Sequence, residues 1–175
     1  GGTSGQSFAM DKVSFTWFQT IVLITPFLLQ IPVFDLNVEK WSVVDTKPWQ
    51  SGQEQIYPAP RYSHDCGQIG RLIYVVGGAD QHQAFADCWS LDLETLQWTK
   101  HVGCSLPQPC YFHSATVSPN DGEMFVFGGV NCVQRKRRSD AMYRCWLSVP
   151  SLQRMAQEAI IKFLHNDKHI SGSNG

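Results

Sequence analysis

The chain has 175 residues, of which 43% are hydrophobic and 17% are charged, a balance typical of a globular protein with a core to bury. Its formal net charge of -1 gives no global attraction to polyanions, so neither a nucleic-acid partner nor an anionic membrane surface is expected. The basic run Arg135, Lys136, Arg137, Arg138 is interpreted as a solvated loop, with a nuclear signal or a phosphate site as the alternatives.

The first predicted element is an uncharged, strongly apolar run from Val13 to Phe34. About 20 apolar residues are enough to cross a bilayer as a helix. Pro26, Pro32 and several polar residues argue against a membrane span, which would also separate strands that must pair. Two other hypotheses stay open, a translated intron and a loop that packs on the protein surface.

The intron hypothesis rests on the spacing of a repeated pattern. Asp35 follows Gly2 after 33 positions, whereas the equivalent Asp92 follows Gly78 after 14. Removing residues 13–30 brings the first spacing to within one residue of the second. The segment begins with valine, whose codons start with GT, and ends with glutamine, which the codon CAG encodes. Introns begin with GT and end with AG, so both ends of the segment fit the hypothesis.

Two segments further along the chain repeat each other, with a period of 51 residues from Gly77 to Gly128. Each has a proline, a histidine and a short apolar strand that ends in two glycines. An aspartate is followed six residues later by a tryptophan at two places, Asp35 to Trp41 and Asp92 to Trp98. Short strands rich in β-branched and aromatic residues predict four-stranded blades, and the double glycine suits a turn with positive φ or a close backbone approach.

This pattern resembles the kelch repeat. We therefore predict an all-β fold, a partial kelch β-propeller of about two and a half blades, with an amphipathic helix at its C-terminus. The kelch repeats are assigned to residues 1–12 and 31–149, interrupted by the apolar insertion at 13–30. Propellers close with about four to eight blades. The chain thus cannot close a ring by itself, and either its other half lies outside this sequence or partner copies cover its open edges.

The cysteines lie singly in strand-like sequence, at Cys66, Cys88, Cys104, Cys110, Cys132 and Cys145. Free thiols in a reducing compartment are expected, which predicts a cytoplasmic protein, with the nucleus as an alternative location. No metal and no cofactor is expected. The sequence shows no nucleophile elbow, phosphate loop or metal-ligand spacing, so a binding module is predicted and not an enzyme.

The last predicted element is an amphipathic helix at residues 150–164, followed by a polar tail, 165–175, that is predicted to be disordered. Ser151 is placed to cap the helix, and Arg154, Glu158 and Lys162 lie opposite its apolar face. From these residues alone, a helix that seals the base of the propeller is the simpler interpretation.

The helix resembles the BC-box of elongin C-binding proteins: a small residue, leucine, three variable positions, cysteine or alanine, three variable positions and an aliphatic residue. The resemblance assigns elongin C binding to Ser151, Leu152, Met155, Ala156 and Ile160, and Leu152 would be the anchor in a groove. With the kelch repeats before it, the chain is similar to kelch-repeat substrate receptors of elongin B/C and cullin 2 ubiquitin ligases. That family recognises protein C-terminal degrons, often ending in glycine. The alternative is a kelch scaffold for protein interactions without a ligase.

A receptor for a chain terminus must neutralise a carboxylate, for which arginine and serine side chains are suited. The degron-binding candidates are Arg61, Ser63, Arg71, Ser114 and Arg135, with a structural role as the alternative for each. In related receptors such arginines follow the double glycine. Here the loop at 79–87 has no arginine. The loop that follows Gly129, which we call the third loop, offers Arg135, Arg137 and Arg138. The equivalent repeat positions of His64 and His113 favour a blade-forming hydrogen bond over catalysis.

Overall fold

A computed structural model describes residues 13–17, 20–24, 28–118, 122–131, 133 and 137–170. The first sheet contains β1 (Val13–Trp17), β2 (Thr20–Ile24), β3 (Gln30–Asp35) and β4 (Lys40–Asp45) in that order. A ribbon of β5 (Trp49–Ser51) and β6 (Glu54–Ile56) leads to the second sheet, formed by β7 (Asp65–Ile69), β8 (Leu72–Val76), β9 (Cys88–Asp92) and β10 (Trp98–Lys100). The third sheet contains β11 (Ser114–Ser118), β12 (Glu123–Phe127) and β13 (Met142–Trp146), and helix α1 (Leu152–Ile170) follows.

Neighbouring strands within each sheet are antiparallel, and β7 lies beside β11 of the next sheet. The prediction of an all-β partial propeller with a C-terminal helix is confirmed. The helix begins at Leu152 and continues to Ile170, beyond the predicted end at residue 164. The polar residues after 164 do not stop it, because the first glycine after that position is Gly172.

The apolar segment at 13–30 supplies the first two strands of the first sheet. Strand β2 pairs with β1 on one side and with β3 on the other, with Ile21 opposite Phe34. Runs of β-branched and aromatic residues have this strand preference. A role in the sheet was not predicted for the segment, and its origin in the transcript stays a prediction. Among the described residues, no helix is long and apolar enough to cross a membrane.

The first hydrophobic core lies between the first and second sheets. Ile31 and Leu28 pack there with the strands of the second sheet, and Trp98 is fully buried. The indole Nε1 of Trp98 donates to the Leu28 carbonyl at 3.0 Å and to Thr46 Oγ1 at 3.1 Å. The tryptophan of the repeat therefore joins a sheet to the sheet before it.

The second core lies between the second and third sheets, where Val76 and Cys88 pack with Met124 and Val126. A disulfide joins Cys104, in the loop after β10, to Cys145 in β13, with Cα atoms 5.6 Å apart. This pair departs from the expectation of free thiols, because the fold brings a loop and a strand together although the two cysteines are 41 residues apart in sequence.

Three other cysteines, Cys66, Cys88 and Cys110, are free and buried, while Cys132 lies outside the described residues. Burial raises the pKa of Cys88 to about 12. These thiols are therefore packing residues that stay protonated near neutral pH.

The double glycine and the histidine of each repeat are in direct contact. Gly78 has φ of +92°, and a Cβ there would lie 2.8 Å from the His64 Cβ. Gly129 also has φ of +92°, and its Cβ would lie 2.9 Å from the His113 Cβ. Only glycine combines this backbone conformation with such a close approach. Both histidines are buried beside the strand end, which places them in the blade framework.

Candidate protein-interaction sites

Arg61 is buried, with an exposed fraction of 1%. Its Nη1 lies 2.5 Å from Asp87 Oδ1 and donates to the Gly77 carbonyl at 3.0 Å, while Nε donates to the Ala59 carbonyl. The guanidinium also lies 4.3 Å from the centre of the Phe85 ring. Its donors are therefore engaged within the second sheet, which favours the structural role given above as the alternative.

The candidates Ser63 and Arg71, beside the strands of the second sheet, and Ser114, at the start of the third, lie apart from one another. Ser63 is buried, and its carbonyl accepts the Phe112 N–H at 3.0 Å. Arg71 is half exposed but forms ion pairs with Asp92 and Glu94. It precedes β8, so it lies at the end of the sheet opposite the double glycine. Ser114 is exposed and lies at the double-glycine end, where it pairs with Phe127.

The third loop forms a cavity of about 590 Å³ at the double-glycine end of the third sheet. Its lining residues are Gln108, Asn131, Arg137, Arg138, Ser139, Asp140, Ala141 and Tyr143. Arg137 and Arg138 are exposed, and the structure gives neither an ion pair within the described residues. Arg135 lies outside the described residues. The cavity thus presents two cationic donors and one carboxylate, that of Asp140, beside neutral polar groups, and the excess of positive charge can attract a carboxylate.

The cavity wall is held by contacts that the sequence did not indicate. Asn131 Nδ2 donates to Gln108 Oε1 at 2.9 Å, which ties the third loop to the loop before β11. The Asn131 backbone N–H donates to the Arg137 carbonyl at 2.9 Å. Gln108 and Asn131 carry no local signal of a site, because they meet only when two loops pack together.

Helix α1 begins as predicted, because the Ser151 Oγ accepts the Arg154 backbone N–H at 3.2 Å. The proposed elongin-binding side chains share the uncovered side of the helix. Leu152 is 81% exposed, Met155 43% and Ile160 59%, and Ala156 is exposed as well. The apolar face therefore points away from the sheets.

A cluster of four charged residues holds the opposite side of the helix on the third sheet, and we call it the ionic clasp: Glu123, Arg144, Arg154 and Glu158. Glu123 is 1% exposed and lies 3.3 Å from Arg154 Nη2. Arg144 Nη1 lies 2.8 Å from Glu158 Oε1. Arg154 and Glu158 were predicted on the polar face, but their partners on β12 and β13 were missed, because only the tertiary structure brings them close.

In the described part of the chain, no group of three or more His, Cys, Asp or Glu side chains is placed to hold a metal ion. The features that the structure does present are a cationic cavity at one end of the sheets and an apolar helix face at the other. Strand β12 runs from Glu123, beside the helix, to Phe127, beside the double glycine, so the two sites lie at opposite ends.

A protein-family model described as the KLHDC2/KLHL20/DRC7 Kelch-repeats domain matches residues 26–158. The chain is 32% identical over 163 residues to kelch domain-containing protein 10 of Xenopus tropicalis, covering 93% of this chain and 34% of that protein. It is 31% identical over 172 residues to the Homo sapiens protein of the same name, covering 98% and 34%. The chain thus spans about a third of the length of these curated relatives.

Kelch domain-containing protein 3 of Rattus norvegicus is 38% identical over 104 residues, which cover 55% of this chain and 24% of that protein. Among solved structures, that of YjhT matches with a TM-score of 0.53 and 19% identity, covering 70% of this chain and 34% of the other. The structural match supports the propeller fold and nothing more specific.

Proposed function

The chain belongs to the kelch-repeat family, and from that premise we propose that it is a substrate-recognition adaptor of an elongin B/C and cullin 2 ubiquitin ligase. It would bind the C-termini of substrate proteins and would itself be a binding module without catalysis. A role in protein interaction follows from the family. The ligase, its partners and the cytoplasmic location, with the nucleus as the alternative, are the proposal. The location rests on the free thiols of Cys66, Cys88 and Cys110, and the Cys104–Cys145 disulfide counts against it.

The observation that carries the proposal is the outward apolar face of helix α1. Leu152, Ala156 and Ile160 follow each other at intervals of four, so they line one side of the helix. A helix that seals the propeller base would bury this side. Here it is exposed, and a helix-in-groove partner such as elongin C would cover it.

The ionic clasp explains why this face points outward. Glu123 is buried in the third sheet and draws Arg154 towards it, while Arg144 binds Glu158 one helical turn further on. These contacts fix the polar side of the helix against the sheet. The apolar side is then left on the solvent side of the helix, where the groove of a partner can reach it.

The cavity with Arg137 and Arg138 is the candidate substrate site. An adaptor needs its substrate site and its ligase-binding helix to be accessible together, and the two lie at opposite ends of the third sheet. A free C-terminal carboxylate matches the exposed guanidinium groups, and Ser139 and Asn131 offer further polar groups in the cavity.

The test is co-purification of the chain with elongin B and elongin C. We expect the wild-type chain to bind and Leu152→Glu to lose at least about 30-fold in affinity, as for an anchor residue worth about 2 kcal/mol or more. Gln153→Glu is the matched control, because it adds the same charge at the neighbouring exposed position. Circular dichroism of each variant verifies that the helix is intact.

Cullin 2 is then added to the purified complex, and we expect it to join only when elongin is bound. If neither the wild-type chain nor the control binds elongin, the ligase proposal is wrong. A kelch scaffold for protein interactions would then be the better account of the fold.

A further inference from the structure

The Cys104–Cys145 disulfide joins two segments that each contribute a residue to the cavity of the third loop. Cys104 lies four residues before Gln108, in the loop between β10 and β11. Cys145 lies two residues after Tyr143 on β13, so alternation along the strand puts both side chains on the same face. Gln108 and Tyr143 both line the cavity. The disulfide therefore fastens the loop that forms one wall of the cavity to the strand that forms another.

The segment around Cys104 depends on this bond for its attachment to the third sheet. Cys104 is 2% exposed, whereas the residues on both sides of it are exposed. Its backbone N–H donates to the carbonyl of His101, in the same loop, at 3.4 Å. The Leu106 N–H donates to the Ala86 carbonyl at 2.8 Å, which ties the loop to the second sheet and not to the third. The disulfide thus anchors an otherwise exposed segment to β13.

The other three cysteines that the structure describes are free, which is the pattern of a protein kept in a reducing compartment. In such a compartment, disulfides are usually transient and serve redox sensing or catalysis. Exposure favours exchange at one side of the bond, because Cys145 is partly exposed while Cys104 is buried. An attacking thiolate therefore reaches the sulfur of Cys145 first.

We propose that Cys104 and Cys145 are a reversible redox site, which we call the redox latch, and that its state controls the cavity wall at Gln108. The latch rests on the proposed function for its reducing compartment and its carboxylate ligand. In the oxidised protein the loop is held where the side-chain oxygen of Gln108 accepts from Asn131 Nδ2 at 2.9 Å. This contact leaves the amide N–H groups of Gln108 to donate to a carboxylate. Reduction releases the loop from β13 and weakens carboxylate binding.

The chemistry of the redox latch uses a small thiol of the glutathione class as reductant and hydrogen peroxide as oxidant. In reduction, a thiolate attacks Cys145 Sγ, the S–S bond breaks, and the sulfur of Cys104 leaves and takes a proton from solvent. A second thiolate attacks the reductant's sulfur in the mixed disulfide and expels the Cys145 thiolate, which is protonated in turn. In oxidation, the Cys145 thiolate attacks the peroxide to give a sulfenic acid, and the Cys104 thiolate displaces its oxygen. Both peroxide oxygens leave as water, with the two thiol protons and the two peroxide protons.

The first experiment sets the redox state of the chain with glutathione buffers and identifies free thiols by alkylation and peptide mass spectrometry. With reduced glutathione in large excess, we expect Cys104 and Cys145 to become alkylated. After hydrogen peroxide, we expect the two to be linked again and protected. Cys66→Ala is the matched control and should keep this response, because Cys66 is a buried free thiol in the first core.

The second measurement is amide hydrogen exchange, which reports the state of the loop without any ligand. The Leu106 N–H should exchange at least about tenfold faster after reduction, because its segment then opens without β13. This gain should exceed that of the Val75 N–H in the centre of β8, which exchanges when the sheet itself unfolds. In Cys104→Ser, Leu106 should exchange at the faster rate in both buffers. Cys145→Ser takes the place of this variant if circular dichroism shows that it is not folded.

The third measurement compares the affinity of a glycine-ending peptide for the oxidised and the reduced chain. We expect reduction to weaken binding about fivefold, as for the loss of one neutral hydrogen bond. Gln108→Ala should weaken binding equally in the oxidised chain and make the affinity independent of the redox state. If the oxidised chain binds the peptide acid and its amide alike, the proposed substrate site is wrong, and the exchange rate of Leu106 alone then decides the redox latch.

A bond that glutathione leaves intact in the folded chain would overturn the proposal and identify a permanent structural disulfide. Thiols that peroxide does not link again would overturn it as well. So would a Leu106 exchange rate that is the same in both states, or an acid-specific peptide affinity that reduction leaves unchanged.

Discussion

Arg61 and Asp87 form a two-point contact in the second sheet, with Nη1 to Oδ1 at 2.5 Å and Nη2 to Oδ2 at 3.1 Å. Burial on its own would raise the pKa of Asp87, but the hydrogen bond and positive charge of Arg61 outweigh it and lower that pKa. Asp87 also accepts the indole N–H of Trp89. The pair therefore holds the loop residues at the double-glycine end of the blade in place. It also occupies the guanidinium of Arg61, which is then not available to bind a ligand.

We expect Arg61→Gln to lower the free energy of unfolding by about 3 kcal/mol, because it leaves the partly buried Asp87 carboxylate without its cation. Arg71→Gln, which breaks exposed ion pairs, should cost less than about 1 kcal/mol. Urea unfolding followed by tryptophan fluorescence measures both. Equal losses in the two variants would contradict the structural role of Arg61.

The Cys104–Cys145 disulfide closes a loop of 41 residues between the second and third sheets. Constraining a loop of this size in the unfolded chain stabilises the fold by about 2–4 kcal/mol. A reducing agent should therefore lower the midpoint of unfolding of the wild type and leave a Cys104→Ser variant unchanged. Mass spectrometry of unreduced peptides identifies the bond, and a pairing that involves Cys66 or Cys88 would contradict it.

Burial lowers the pKa of His113 below the ordinary value of 6.5. The folded protein thus holds the neutral ring, and the unfolded chain binds more protons below that pH. The free energy of unfolding is therefore unaffected by His113 above about pH 6.5. It decreases as the pH falls from 6.5 towards the lower pKa of the folded protein. NMR titration of the His113 ring should give a midpoint below 6.5, and a midpoint at or above 6.5 would be inconsistent with this.

The cavity of the third loop should distinguish a free carboxylate from a neutral chain end. We expect a glycine-ending peptide to bind the wild type more tightly than its C-terminal amide, and Arg137→Glu with Arg138→Glu to remove that preference. Arg71→Glu is the control, because Arg71 lies at the opposite end of the sheets. Fluorescence anisotropy with labelled peptides measures the difference. Equal binding of acid and amide would exclude carboxylate recognition at this cavity.

The repeats could be recognised from the sequence because their signals are local. A double glycine, a histidine and a spaced aspartate and tryptophan lie within one blade, and the double glycine recurs after 51 residues. The helix was equally visible, since its apolar positions and Ser151 cap depend only on neighbouring residues. The strands at 13–17 and 20–24 were missed because they lack the double glycine that marked the other blades.

The sequence by itself determined the family, the strand pattern and the amphipathic helix, because period and turn chemistry are properties of short segments. Only the tertiary structure decided which groups are buried, since that depends on residues far apart in the chain. Arg61 is enclosed because the fold brings Asp87, which is 26 positions away in the sequence, into contact with its guanidinium. The helix shows its apolar face because Glu123, 31 positions from Arg154, holds the polar one.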